Sequence, residues 1–338
     1  MTAPLRWGIL GTGWVAHMFC HDLVANGITI GAVGSRNLDT ARGFAAEYRV
    51  PAAHGSYAEL ACDPNIDIVY VSSPHPFHAP HAELAIRTGK HVMVEKPFTI
   101  NAVEAQQLAD LAAEHGVTVL EAMWTRYVPH IVRIDEIIAA GTIGEVRTLI
   151  ADHSQKLPAD PTHRLNDPAL GGGALLDLGI YPVWYADHLF GPPTRVLAVA
   201  ARTATGVDRQ DAIVLEYSGG RQALLQCALD TPGPNTAAIL GTSGRIAVDP
   251  VWHDTAAFTV YDADDAVLER FDPPINGRGM HYQALAAELR IAGEAGPEDV
   301  MPATTSVRVM RTMDAIRREI GLTYPGESAP GVPATVTS

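Results

Sequence analysis

From Leu5 to about Glu121 the chain alternates short, almost wholly apolar runs with stretches of helical periodicity. The runs at 7–10, 28–34, 68–72, 91–94 and 118–120 predict strands. They lack the in–out alternation of a half-exposed sheet, so burial on both faces of a parallel sheet is expected. Between them, helical spacing predicts helices over 15–26, 39–48, 56–62, 80–88 and 102–115. Such β-α-β repetition implies a doubly wound open sheet with helices on both faces.

The pattern changes after about Trp124. One helix over 130–140 stops at Gly141, and β-rich runs follow at 146–153, 195–203, 212–217, 222–229, 236–240 and 258–261. The turn signals SGG, TPGPN and GTSG separate them. A mostly antiparallel open sheet is expected, interrupted by a helix over 173–190 and closed by helices over 282–292 and 304–320. The predicted fold class is therefore α/β, an N-terminal doubly wound parallel sheet followed by a C-terminal α+β domain. The predicted division is 1–122, 123–324 and a flexible Pro/Ser/Gly-rich tail over 325–338.

With 338 residues, 47% of them hydrophobic and 18% charged, the chain is large enough for two cores. A formal net charge of −14 opposes nonspecific binding to nucleic acid or anionic lipid. Cys20, Cys62 and Cys227 show no CxxC spacing, so neither a disulfide framework nor structural zinc is expected, and all three are read as reduced and buried. The sequence enters a strand with no signal-like segment before it, and no apolar stretch reaches membrane-span length. The expectation is a soluble cytoplasmic protein.

The first chemical motif is GTGWVA at 11–16, directly after the strand WGIL. It is a GxGxxA form of the dinucleotide fingerprint of a Rossmann domain. Gly11 permits the tight turn, Gly13 lets a pyrophosphate approach the backbone, and Ala16 lets the helix pack on the strand. The helix start at Trp14 and Val15 offers N–H groups to phosphate. An NAD enzyme places a carboxylate about 20 residues on, at the end of the second strand. This chain reads VGSRN there, and Ser35 and Arg36 suit a 2′-phosphate instead. NADP is the expected cofactor, with NAD possible.

Two further segments, SSPHPFHAPHAELAIRTGKHVMVEKP at 72–97 and GGGALLDLGIYP at 171–182, join the glycine turn in order. Together the three resemble the Gfo/Idh/MocA oxidoreductases over nearly all of the chain. EAMWTRYVPH and the tyrosine of the glycine-rich segment are similar to one branch, that of dimeric dihydrodiol dehydrogenase and NADP-linked D-xylose dehydrogenase. The resemblance implies that Lys96 lies beside the nicotinamide and the reacting oxygen. It implies that Ser73, His75, His78, Glu95 and Trp124 belong to the cofactor site, with His78 near the nicotinamide ribose. It also implies a homo-oligomer, most simply a dimer, built sheet face to sheet face; an uncovered face of a large sheet argues the same way.

Hydride transfer from an alcohol needs a group to take the hydroxyl proton and a cation to stabilise the developing alkoxide. Lys96 stands at the carboxyl end of a strand, where open α/β sheets bind ligands, and Pro97 restricts its backbone to extended conformations. Asp177 and Tyr181, four apart on a predicted helix, share a face. Tyr181 replaces the histidine usual in the family and is the candidate for proton transfer, although Lys96 itself is an alternative; Asp177 would orient substrate or lysine. Trp124 and Arg126 follow the strand VTVLEA and suit a sugar ring and its hydroxyls. His153 and Arg164 flank the glycine-rich segment as further substrate-binding candidates. His75, His78 and His81 recur every three residues, but no carboxylate or cysteine joins them, so no metal site is expected and His81 is read as exposed.

The expected activity is NADP-dependent hydride transfer at a sugar or cyclic-alcohol carbon. Oxidation of an aldose such as D-xylose or D-glucose at C1, or of a trans-dihydrodiol, leads. The alternatives are a keto-sugar reductase, a redox-neutral glycosidase that retains NAD, and a non-enzymatic NADP sensor; a sensor would be expected to lack the catalytic lysine.

Overall fold

The computed structural model describes residues 4–274, 277–295 and 301–327. These divide into two compact units. The first takes in the chain through Asp135, with His253–Thr255 and the described part of Asp272–Val307. The second takes in Glu136–Trp252, Ala256–Phe271 and the described residues from Arg308 onward.

In the first unit β1 (Trp7–Leu10), α1 (Trp14–Ala25), β2 (Ile30–Gly34), α2 (Leu38–Tyr48), β3 (Ala52–His54), α3 (Tyr57–Ala61), β4 (Ile68–Val71), α4 (His78–Arg87), β5 (His91–Glu95), α5 (Ala102–Glu114) and β6 (Val119–Ala122) follow in order. The six strands form one sheet, β3-β2-β1-β4-β5-β6, and every pair in it is parallel. β1, β4 and β6 are wholly buried, which is why their sequences carry no alternation. β3 was not expected: this three-residue edge strand is only half buried and so has no apolar run to betray it. Strand order reverses at β1, so the carboxyl ends of β1 and β4 flank the crevice where sheets of this kind bind ligands.

Beyond them come α6 (Pro129–Ala139), β7 (Val146–Ser154), α7 (Ile180–Phe190), β8 (Arg195–Arg202), β9 (Asp208–Glu216), β10 (Gln222–Ala228), β11 (Ala237–Gly241), β12 (Gly244–Val248), β13 (Phe258–Asp262), β14 (Val267–Phe271), α8 (Met280–Ile291) and α9 (Ala303–Glu319). The second unit carries an eight-stranded sheet in the order β14-β13-β12-β11-β7-β10-β9-β8. It is antiparallel except where β10 runs parallel to β7. β12 and β14 were not expected; β14 is a mostly exposed edge and β12 a short, half-buried strand.

The register gives this sheet two unlike faces. Leu215, Ala223, Leu149, Ile239, Ile246 and Val260 form one buried row, on the face covered by α7. The opposite face carries the row Leu197, Val214, Leu224, Ile150 and Ala238, of which Leu197, Leu224 and Ile150 are exposed.

Three expectations are corrected. The helix over 173–190 is not one α-helix: a π-helical turn at Leu175–Gly179 precedes α7. The i,i+4 argument for Asp177 and Tyr181 therefore does not hold as made, because i→i+5 bonding adds a residue to the turn. Cys62 is exposed, since it ends α3 on the solvent side, whereas Cys20 and Cys227 are buried. His81 is half buried and bonded to Ser73. Of the expected tail, 328–338 lie outside the described residues, while Glu327 pairs with the buried Arg317. Among the described residues no helix is long and apolar enough to cross a membrane.

Candidate active site

The glycine turn has the shape a dinucleotide requires. Gly11 sits at φ +104°, and a Cβ there would lie 2.8 Å from Ser72 Oγ, so a side chain is excluded both by backbone and by space. Ser72 closes the crevice from β4, its amide donating to Leu10 O at 3.0 Å and its hydroxyl at 2.9 Å. Nothing lies within 4 Å of a Cβ built on Gly13. Gly13 caps α1 without a side-chain hydrogen bond, and no acidic residue stands in the first turn. The N–H groups at Trp14 and Val15 are thus left for an anion at the positive end of the helix. Trp14 is exposed, Ser35 is buried at the end of β2, and Arg36 is exposed beside it with no ion pair among the described residues. This donor set fits a dinucleotide phosphate.

The lysine loop is held by buried groups. Glu95 accepts hydrogen bonds from the Tyr70 hydroxyl and, at 3.2 Å, from the Lys96 amide. Next along the loop, Glu121 Oε1 accepts from the Phe98 amide at 2.9 Å. His78 lies between two carbonyls, Nδ1 2.7 Å from Pro97 O and Nε2 2.7 Å from Ser73 O. Two acceptors favour the doubly protonated ring, but complete burial outweighs them and pushes His78 down to about 4. A neutral ring has one N–H for the two carbonyls: on Nδ1 it donates to Pro97 O and ties the start of α4 to the loop after β5, whereas on Nε2 it donates to Ser73 O within the segment after β4. His75 is buried, its ring 5.7 Å from that of His78 in an edge arrangement. Lys96 itself is half buried.

Glu121 was absent from the expected site. It is wholly buried, and burial pushes its carboxyl up to about 7, against the opposing effect of the Phe98 amide and Lys96. Its signal was present in the sequence as a carboxylate inside the apolar strand VLEA.

Trp124 and Arg126 occupy a short 3₁₀ turn after β6. Trp124 is buried, with the Arg278 guanidinium 5.7 Å from its ring centroid. Arg278 also pairs with Asp254 at 2.6 Å. Arg126 pairs with Asp135 at 3.1 Å, which commits part of its guanidinium within the protein. Arg278 had no motif to announce it, because only folding brings it to Trp124.

In the second unit the remaining candidates meet in pairs. Arg164 Nη2 donates to Asp177 Oδ1 at 3.2 Å. The Tyr181 and His153 rings pack edge-on, with centroids 5.0 Å apart. His153 Nδ1–H donates to Leu178 O at 3.1 Å, leaving Nε2 to accept from the Gln155 amide at 2.9 Å. His153 therefore stands against the π turn and the tyrosine at once. Asp208 also escaped sequence reading; its carboxylate accepts from the Leu175 amide at 2.5 Å, at the start of the same turn.

A Rossmann domain with an open glycine turn, followed by a clamped lysine at a strand's carboxyl end, defines a nicotinamide-dependent oxidoreductase. Residues 5–123 match the oxidoreductase family with an NAD-binding Rossmann fold, and residues 131–247 match the GFO/IDH/MocA C-terminal domain. The chain is 33% identical over 334 residues to trans-1,2-dihydrobenzene-1,2-diol dehydrogenase of Mus musculus, covering 95% of this chain and 98% of that one. Its human counterpart is 32% identical with the same coverage.

Among solved structures, a 3-ketoreductase from Actinomadura kijaniata in complex with NADP and TDP-benzene superposes with a TM-score of 0.83 at 26% identity, covering 94% of this chain and 98% of that one. An aldose-aldose oxidoreductase from Caulobacter crescentus, complexed with glycerol, gives 0.83 at 25% identity, covering 94% and 97%. The chain belongs to the Gfo/Idh/MocA family and is an NAD(P)-dependent dehydrogenase or reductase.

Proposed function

We propose that the protein is an NADP-dependent dehydrogenase acting on one CH–OH group of a vicinal polyol, a cyclic trans-diol or an aldose. The observation that carries this reading is the clamping of the Lys96 loop by Glu95, His78 and Glu121. A structural surface lysine needs no such framework, whereas a cation that must meet one reacting oxygen does. Resemblance to the dihydrodiol dehydrogenases supports the diol; the likeness to an aldose-aldose oxidoreductase supports the sugar.

The N-terminus of α1 would hold the pyrophosphate, and Ser35 with Arg36 the 2′-phosphate, which favours NADP over NAD. Ser73, His75, His78, Glu95 and Trp124 would frame the nicotinamide end. When bound, the nicotinamide accepts or returns the hydride. Lys96 stabilises the negative charge that develops on the substrate oxygen, and Tyr181 takes the hydroxyl proton or returns it in reduction. Asp177, held by Arg164, orients the substrate hydroxyls, with His153 fixing the tyrosine ring. Trp124 and Arg126 complete the substrate contacts.

The exposed row Leu197, Leu224 and Ile150 supports a homodimer through the outer face of the second unit's sheet. The reduced cysteines fit a cytoplasmic setting.

The test is reduced-nicotinamide absorbance with saturating NADP⁺, and separately NAD⁺, against aldoses, inositols and cyclic trans-diols. Growth of the signal with one class, faster with NADP⁺, is the expected result. Silence across the panel with the cofactor bound would overturn the dehydrogenase reading, and turnover of keto sugars with NADPH would replace it by a reductase.

A further inference from the structure

We infer that Asp208 and Asp211 share one proton and together act as a positioning pair for the helix start that carries Asp177 and Tyr181. Both carboxyls are completely buried on β9. Asp208 Oδ2 accepts from the Leu175 amide at 2.5 Å, and Asp211 Oδ2 accepts from the Cys227 thiol at 3.3 Å. The remaining oxygen of each, Oδ1, has no donor among the described residues. The two side chains lie within hydrogen-bonding reach of one another. A proton held between them supplies the missing donor; two buried carboxylates would repel.

Among the described residues the neighbouring donors are committed elsewhere. Arg202 on β8 is the nearby cation, but it is exposed and donates to the carbonyls of Gly206 and Ile320. The Tyr324 hydroxyl donates to Gly172 O at 2.7 Å, and behind it Arg317 pairs with Glu327. Cys227, on β10, is already turned to Asp211. Burial raises both carboxyls, Asp211 to about 9, so the proton stays at neutral pH.

Asp208 reaches the start of the π turn directly, and Cys227, bonded to Asp211, lies against its end. Gly173 lies at φ +123°, and a Cβ there would collide with the Asp208 carboxylate; a Cβ on Gly179 would lie 3.0 Å from Cys227 Sγ. The last glycine of the GGG segment is thus required because the chain must lie directly on Asp208. Tyr324 fixes the preceding carbonyl. The turn between these contacts holds Asp177 and delivers the chain to Tyr181.

This role rests on the proposed part of Asp177 and Tyr181 in catalysis, so the test uses readouts independent of turnover. Asp211→Asn supplies a permanent N–H to Asp208 and an oxygen to the thiol; Asp211→Ala supplies neither. Hydrogen exchange of the 173–181 backbone should be roughly tenfold faster or more in the alanine variant and close to wild type in the asparagine variant. A carboxyl whose folded pKa is raised lowers stability as pH climbs from its ordinary 3.8 toward about 9. The urea midpoint of the wild type should therefore fall over that window more steeply than that of Asp211→Asn. Parallel pH curves for these two proteins, or unchanged exchange in the alanine variant, overturn the inference. With exchange and pH response as expected, a kcat at least about tenfold lower in Asp211→Ala than in Asp211→Asn, at equal NADPH affinity, supports positioning for catalysis. Equal kcat in the two variants would instead refute the assignment of Asp177 and Tyr181 and leave the pair in place.

Discussion

Replacing Glu121 by glutamine tests the frame behind Lys96 through its electrostatics. Glutamine keeps an oxygen for the Phe98 amide and has nothing to titrate. In the folded protein burial lifts Glu121 from 4.5 to about 7, so the native state binds its proton more tightly than the unfolded chain does. Below about pH 4.5 both states are protonated and the group costs nothing. As pH rises toward 7 the unfolded carboxylate ionises freely while the folded one resists, and stability falls. Above about 7 the whole cost applies, on the order of 3 kcal/mol for a shift of this size. The urea unfolding free energy of Glu121→Gln minus that of the wild type should therefore grow by that order from about pH 4.5 to about 7, and then level off. A difference that stays constant with pH would refute the reasoning, since it would mean that Glu121 is not strained by burial.

Four further outcomes follow from named contacts. Arg36→Ala should weaken NADPH binding by about 1–3 kcal/mol, the worth of a charged hydrogen bond, and leave NADH binding unchanged in a fluorescence titration. Lys96→Ala should lower kcat by roughly 10²-fold or more with NADPH affinity nearly intact; unchanged turnover would remove the lysine from the chemistry. Leu224→Glu, in the centre of the exposed apolar row, should shift the species seen by light scattering from dimer to monomer, and a wild type already monomeric at micromolar concentration would refute the interface. Gly173→Ala forces a side chain into a conformation that costs on the order of 1–3 kcal/mol and into the Asp208 carboxylate, so a Tm lowered by several degrees is expected in calorimetry.

Local chemistry was enough to read much of this protein from its sequence. The glycine turn, the apolar parallel strands and the Lys-Pro at the end of β5 are short-range signals, because burial on both faces and a φ open only to glycine leave direct marks on residue type. The family followed from three such segments in order. What remained hidden depends on contacts distant in sequence. β3, β12 and β14 are short or edge strands whose residues need little hydrophobicity, so only pairing reveals them.

The turn before α7 looked like a plain helix because periodicity does not distinguish a π turn from an α turn over five residues. Glu121 is a buried carboxylate only because β6 packs where Phe98 needs an acceptor, and Arg278 meets Trp124 across more than 150 residues of chain. Asp208 and Asp211 lie ahead of the run expected as a strand at 212–217, with nothing in the sequence to single them out. Tertiary structure alone decides that they face the thiol of Cys227 and the amide of Leu175, because desolvation is a property of the packed interior and not of the residue.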